Sequence, residues 1–527
     1  MFDYVSFILS ATFTPILVNI AFHQPYSWFQ TISLAGVLAV ISSICALIDA
    51  MFLRLFFSSD LHNLPTAIQG PVWKRLFREP TGDRLSQFMP EAPTSQIIRY
   101  FGVLNSERLL LTDPKDIKQV MDSQAYEFGR SYLIRRLLSP ILGKNSLVVS
   151  DAHKGSAEQQ AYGSEDSVEI LKWLEKTTFQ IVFTAFFGTT STNEQGPLED
   201  LLQEFREAFS ISSGLYAQAE MAWETILPSH LFFGLIPLDD IRKTRKSMQI
   251  IRAFCQSQIT LRKSKNTPES RMLLDKNILD TVIRSENLSD EEILEMCTTF
   301  LATGYKTVSI AVAWAIYHLS IRPGVQALLR AEVRKSFPAP DRAGTPSFRP
   351  DTLQRMPILT AVFNETLRFS PLVHLTYREA RTDMILPGSN QVIPEGTILA
   401  ISPWAIQRSP VYWRGGEPSI GFSSTSHTAC PSPLTWDISR WLSDKKGGAR
   451  MQCSFMPFGR GPRCCIAEDF ARDEMAVLLA VLVARFDFSF RSSGRDSNPK
   501  PEDLRTSFGV AAKPVRLMVR AQPVFGW

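Results

Sequence analysis

Two adjacent cysteines stand in a glycine-rich turn, Phe458-Gly459-Arg460-Gly461-Pro462-Arg463-Cys464-Cys465-Ile466-Ala467, and a helical pattern, Glu468–Ala484, follows directly. Glycine opens backbone conformations closed to other residues, so such a turn can present a side chain sharply. A thiol at the entrance of a helix gains from the positive end of the dipole, which favours thiolate. Thiolate is a soft, strongly donating ligand, suited to haem iron. The plainer reading is a tight turn with two buried cysteines. Cys45, Cys255, Cys297, Cys430 and Cys453 have no ligand spacing and read as packing residues or exposed thiols. His153, His318, His374 and His427 form no helix-spaced metal pair.

Three further segments carry chemistry only in combination. In Glu365-Thr366-Leu367-Arg368 the charged residues lie three apart on one helix face and can pair. Tyr377-Arg378-Glu379-Ala380 follows Pro371 in strand-like surroundings, where a surface salt bridge is the plain alternative. In Ala302-Thr303-Gly304-Tyr305-Lys306-Thr307-Val308-Ser309, Gly304 costs a helix about 1 kcal/mol relative to Ala and marks a close approach or a local weakness. Thr307 there can bond back to a carbonyl one turn earlier or offer its hydroxyl to a ligand.

Together these segments resemble those of the cytochrome P450 superfamily, the haem-thiolate monooxygenases. The family's ligand loop runs Phe, two residues, Gly, one residue, Arg, one residue, Cys, one residue, Gly. It aligns with Phe458, Gly461, Arg463 and Cys465, with Ala467 in the last place. The resemblance implies that Cys465, not Cys464, is the axial ligand of a b-type haem iron (iron-protoporphyrin IX). It implies that Arg463 and Arg378 reach the propionates. Glu365 and Arg368 resemble the family's Glu-x-x-Arg motif, with Arg440 of Trp436-Asp437-Ile438-Ser439-Arg440-Trp441 as third member, a structural lock behind the haem. Gly304 and Thr307 match the oxygen-binding groove and are the expected catalytic residues. Lys306 stands where the family has an acid, which predicts slowed proton delivery. The usual helix with a Trp/His-x-x-x-Arg pattern is replaced after Asn145–Asp151 by Ala152–Glu158, and Gly415–Pro433 reads as an insertion.

By this resemblance the protein oxidises a lipophilic small molecule, in secondary-metabolite or lipid biosynthesis. It takes electrons from NADPH through a separate reductase. Two other readings remain: a haem protein with impaired oxygenase activity, and an isomerase or dehydratase of the same fold acting on an already oxygenated substrate. The resemblance covers nearly all of residues 90–522 apart from the two departures.

The elements that must position these residues are mainly helical. Asp166–Phe187, Leu198–Phe209 and Asp239–Lys263 have helical periodicity. The clearest helix starts at Ser289, with Glu292 completing a capping-box pattern, and stops at Arg322-Pro323-Gly324. It is apolar nearly all round, which predicts a course through the domain centre. Helices over Gly324–Phe337 and up to Ser370-Pro371 follow. Ile97–Val103 and Leu109–Leu111 read as a strand pair around Asn105-Ser106. Asp113-Pro114 opens a helix, and Gln391–Val392 and Thr397–Ile401 read as strands. The expected fold is mainly α with small β-sheets, a single cytochrome P450-type domain over 90–527, behind an N-terminal membrane anchor (1–57) and a linker (58–89).

Bulk properties fit. The chain has 527 residues, a net charge of +4 and 45% hydrophobic residues, which exclude a disordered chain and give no basic block for nucleic acid. Seven scattered cysteines argue against a disulfide scaffold and for a reducing compartment. Tyr4–Phe22 and Ile32–Ile48 carry no charge, and Arg54, Lys74, Arg75 and Arg78 follow. One or two membrane spans with the remainder on the cytoplasmic face are therefore expected, at the endoplasmic reticulum. No Walker loop or dinucleotide glycine pattern is present in the sequence.

Overall fold

A computed structural model describes residues 37, 41, 59–67, 69–70, 79–91, 97–131, 168–188, 195–210, 239–265, 277–284, 288–337, 350–413, 432–442, 452–490, 504, 506–508 and 511–526. The expected anchor apart from Val37 and Ile41, the basic residues Arg54, Lys74, Arg75 and Arg78, the Asn145–Glu158 departure and most of Gly415–Pro433 lie outside the described residues.

Eight described helices have ten or more residues: α1 Gly82–Glu91, α2 Ile170–Phe187, α3 Gln195–Ser210, α4 Asp239–Lys265, α5 Asp290–Ser320, α6 Pro323–Ser336, α7 Pro357–Phe369 and α8 Glu468–Arg485. The sequence dictates the ends of α5. Ser289 Oγ accepts from the Glu292 amide, and the Glu292 carboxylate accepts from the Ser289 amide at 2.8 Å. Three acids in the first turn complement the helix dipole. Pro323 then starts α6 in its first turn, where its missing N–H costs nothing. Among the described residues α5 is the one helix long and apolar enough to cross a membrane. With 72% of its apolar window buried inside the protein, it is a core helix. Gly304 sets the spacing to α2: a Cβ there would sit 2.9 Å from Val182 Cγ2. The glycine therefore serves close packing of two helices, one of the two roles its cost in a helix suggested.

A five-stranded sheet, ordered β1-β2-β8-β5-β3, flanks the helices: β1 Ile97–Phe101, β2 Glu107–Leu111, β3 Phe128–Arg130, β5 Thr376–Ala380 and β8 Ile398–Ile401. Only β2 and β8 pair in parallel; the rest are antiparallel. The turn between β1 and β2 places Asn105 at φ 61°, a conformation asparagine tolerates. Asp113 caps the short helix Pro114–Lys118 by accepting from the Lys115 amide at 2.7 Å. A second sheet orders β4 Val168–Glu169, β12 Met518–Pro523 and β9 Phe486–Phe490 as β4-β12-β9. Hairpins β6 Met384–Leu386 with β7 Gln391–Ile393, and β10 Thr506–Phe508 with β11 Ala512–Pro514, complete the described strands.

The stretch expected to be a linker, 58–89, differs. Leu61, Ala67, Leu85 and Phe88 are buried in the core beside the first sheet. Glu79 accepts from Tyr377 Oη on β5 at 2.9 Å and from the Val103 amide at 3.0 Å. Apolar side chains spaced through a polar segment gave no periodic signal, yet each finds a place against the sheet.

Candidate active site

The cysteine turn closes on itself through backbone bonds. The Cys465 amide donates to the Phe458 carbonyl at 2.7 Å, the Cys464 amide to Gly461 at 3.0 Å, and the Gly459 amide to Met456 at 3.1 Å. Gly459 and Gly461 sit at φ 77° and 70°, in the left-handed region where a side chain is strained. At Gly461 there is also no space, since a Cβ would lie 2.1 Å from the Met121 carbonyl oxygen. This turn therefore requires glycine twice over at one position.

Both cysteines lie on the wall of one cavity, Cys465 exposed to it and Cys464 half-buried. Burial raises the Cys465 thiol above the usual range, against the lowering effect of the Ala467 amide that bonds to it. Cys465 lies three residues before α8, which has Ala467 as its N-cap.

The cavity has a volume of about 350 Å³. α5 forms one wall, through Thr299, Thr303, Gly304 and Thr307, and the cysteine turn forms another. Much of the rest is apolar. Three arginines reach the wall, Arg130, Arg378 and Arg463, while no described Asp, Glu or Lys does. Arg130 and Arg378 are direct partners across β3 and β5. Arg378 donates to Thr376 Oγ1 at 3.0 Å and to the Tyr377 carbonyl at 2.9 Å. Arg463 is 8% exposed and donates to the carbonyls of Ala125 and Phe128, which ties the cysteine turn to the start of β3. Phe458 is on the same wall, with the Arg472 guanidinium 4.8 Å from its ring centre. Three cations without an acid among them suit an anionic group, and the thiols suit a metal.

Thr307 Oγ1 donates to the Thr303 carbonyl at 2.8 Å, the back-bonded state. Lys306, one residue away, is not on the wall. It is half-buried, within electrostatic reach of Glu175 on α2, Arg206 on α3 and Lys513 on β11. Burial pushes its ammonium below the ordinary lysine range, and Glu175 opposes that shift.

Behind the turn sits a buried charge cluster. Arg368 grips Glu365 with two bonds of 2.8 Å, and both side chains are fully buried. Glu365 also accepts from the Asp437 amide at 2.8 Å and Trp441 Nε1 at 2.9 Å, with Arg440 Nε at 3.5 Å. Arg368 donates onward to the carbonyls of Gln407, Pro433 and Thr435. Gln407 closes the circuit: its side chain donates to the Leu367 carbonyl and accepts from the Met456 amide at 2.9 Å, two residues before Phe458. So the paired charges on α7 brace the cysteine turn through one glutamine. Sequence reasoning found Glu365, Arg368 and Arg440 but missed Gln407 and Arg130, whose partners lie far along the chain. Among the described residues no His/Cys/Asp/Glu cluster of three forms a metal site.

Comparison with known proteins bears on the family and the fold. The family model described as Cytochrome P450 matches residues 107–419 and 420–519, and the break falls inside the Gly415–Pro433 stretch. Cytochrome P450 monooxygenase sphH of Aspergillus fumigatus is 27% identical over 482 residues, covering 84% of each chain. Cytochrome P450 monooxygenase buaD of Petromyces alliaceus is 29% identical over 476 residues, covering 82% of this chain and 83% of the relative. The crystal structure of the cytochrome P450DA heme domain superimposes with a TM-score of 0.64 at 17% identity, covering 88% of this chain and 98% of that one, a likeness of fold.

Proposed function

The chain belongs to the cytochrome P450 family, and from that premise we propose that it is a haem-thiolate monooxygenase acting on a lipophilic small molecule in a secondary-metabolite pathway. Fungal relatives named as monooxygenases support the reaction class. The residues present fit a b-type haem: two neighbouring thiols and three arginines converge on one largely apolar cavity, and no described acid lines it. Cys465 holds the iron, and Arg130, Arg378 and Arg463 hold the propionates. Phe458 and Gly461 shape the ligand turn. The haem supplies activation of dioxygen and transfer of one oxygen atom to a C–H or C=C bond.

The chain's own residues do the rest. The apolar wall orients the substrate and excludes water. Gly304 brings α2 against α5 and so narrows the cavity. Thr307, released from the Thr303 carbonyl, has a hydroxyl that can pass a proton at Oγ1. The buried Glu365–Arg368–Arg440 cluster and Gln407 hold the cysteine turn. Electrons come from NADPH through a separate reductase, at the endoplasmic reticulum membrane.

The observation that carries the reading is the convergence of Cys465 and three arginines on one cavity that no described acid lines. Cys465→Ser and Cys464→Ser test it. The first should abolish the red-shifted absorption of the ferrous carbon-monoxide complex, and the second should keep it. The reverse pattern would overturn the assignment, and its absence from the unaltered protein would sink the reading as a whole.

A further inference from the structure

α2 packs on α5 beside Gly304. Val182 takes the space that a side chain at Gly304 would need, and the rings of Phe179 and Tyr305 meet edge to face at 5.3 Å. Thr178 and Tyr305 are both fully buried. Thr178 Oγ1 lies 2.9 Å from the Tyr305 carbonyl oxygen on α5 and 2.8 Å from the Leu174 carbonyl oxygen on its own helix. The Glu175 carbonyl is farther, at 3.3 Å. A threonine hydroxyl carries one proton, so two carbonyls at nearly equal distance compete for it.

In an α-helix the Tyr305 carbonyl also accepts from the Ser309 amide, one turn on. The ring closed by that bond encloses Lys306, Thr307 and Val308. Thr307 lines the cavity, and Thr178 does not. A hydroxyl from α2 on the Tyr305 carbonyl draws it off the α5 axis and weakens the bond that closes the turn of Thr307. The neighbouring carbonyls carry extra hydroxyls too. Those of Thr299, Thr303 and Lys306 accept from Thr303, Thr307 and Ser309 at 2.7, 2.8 and 2.9 Å. Back-bonding of this kind bends helices. Those hydroxyls belong to α5 itself, whereas Thr178 reaches in from another helix.

We propose that Thr178 is a positioning residue for Thr307: its hydroxyl, shared between the Leu174 and Tyr305 carbonyls, sets how tightly α5 closes around Thr307 and so where the Thr307 hydroxyl stands at the cavity. The inference rests on the monooxygenase reading for what Thr307 does there. The contact between the two helices does not depend on it. With the proton on the Tyr305 carbonyl, the turn is loosened. With the proton on the Leu174 carbonyl, the Ser309 amide has the Tyr305 carbonyl to itself and the turn tightens. A side chain without the hydroxyl leaves only the tight state.

The test uses the full-length protein, unaltered and as Thr178→Val, Thr178→Ala and Thr178→Ser. Valine keeps the shape and alanine cannot overpack; both lack the hydroxyl, and serine keeps it. In ligand-free protein, hydrogen exchange is read at the Ser309 amide against that of Ala313, one turn farther along α5. Thr178→Val and Thr178→Ala should slow Ser309 relative to Ala313 by about fivefold, the effect of one hydrogen bond, and Thr178→Ser should not. In haem-loaded protein, the C–O stretching band of the ferrous carbon-monoxide complex reports the polar groups beside the bound molecule. Thr178→Val and Thr178→Ala should shift that band, and Thr178→Ser should leave it in place. In a Thr307→Val background neither should move it further. An unchanged or faster Ser309 ratio, an unmoved band, an equal shift in Thr178→Ser, or a shift that persists without the Thr307 hydroxyl would each overturn the proposal. A protein that takes up no haem would count against the monooxygenase reading, and the Ser309 ratio would still decide for or against Thr178.

Discussion

Gly461 shows how much one residue can be asked to do. Its φ of 70° excludes most side chains, and the Met121 carbonyl oxygen fills the space a Cβ would need. Left-handed backbone alone costs an ordinary residue about 1–2 kcal/mol, and the clash is with backbone, which cannot swing aside. Gly461→Ala is therefore expected to lower the thermal midpoint sharply and to reduce haem bound per chain. Gly324→Ala, where no atom lies within 4 Å, should match or slightly exceed the unaltered midpoint, by about 0.5–1 kcal/mol. Equal midpoints for the two variants would refute the packing argument. Gly461 was legible in the sequence, because the turn that needs it is contiguous. Gln407 was not. Gln407 matters through Met456, 49 positions away. Lys306 was legible as a departure, but only the fold shows that it is off the cavity wall and within electrostatic reach of Glu175.

At the scale of elements, ends were easier to read than neighbours. Ser289, Glu292 and Pro323 announce α5 locally, and the helix runs where they say. The order β1-β2-β8-β5-β3 could not be read, because the parallel pairing of Leu109 with Leu399 joins strands nearly three hundred residues apart. Burial around a helix was also hidden. α8 opens with Glu468-Asp469-Phe470-Ala471-Arg472-Asp473-Glu474, a segment whose charges suggest a solvated face. Glu474 is nevertheless 2% exposed, and neither carboxyl oxygen has a hydrogen-bond partner. Burial pushes its carboxyl well above the usual range. A carboxyl raised in the folded state supports folding fully below its unfolded pKa, and that support is lost as pH rises toward the folded value. Glu474→Gln, which cannot ionise, should therefore be more stable than the unaltered protein, by a margin that grows from pH 5 toward pH 8. The slope difference is at most about one proton, or 1.4 kcal/mol per pH unit, below the raised folded-state pKa. Thermal midpoints of both proteins across that range measure it, and a margin independent of pH would show that Glu474 is ionised in the fold.

At the scale of the molecule, the fold bears on where an N-terminal tether to a membrane would end. α5 has the length and apolarity of a span, but it is enclosed by the domain and cannot leave it. We propose that the uncharged runs Tyr4–Phe22 and Ile32–Ile48 enter a bilayer, with the basic residues after them on the cytoplasmic face. The fold sets where the tether ends. Leu61 is 5% exposed and belongs to the same core cluster as Leu386 and Ile393. Further on, Glu79 ties residue 79 to β5, and Leu85 and Phe88 fill the core against Tyr100 and Tyr377. A cut at residue 57 should spare all of these contacts, whereas a cut at residue 90 removes them. Each fully buried leucine or phenylalanine lost costs about 2–5 kcal/mol, which together exceeds what most domains can spare. Deleting residues 1–57 is thus expected to release a folded, haem-binding protein into the soluble fraction. Deleting residues 1–90 should give insoluble or haem-free protein. Carbonate-resistant membrane association of the shorter truncation would refute the tether. Normal haem content in the longer one would show that residues 58–90 are, after all, a linker.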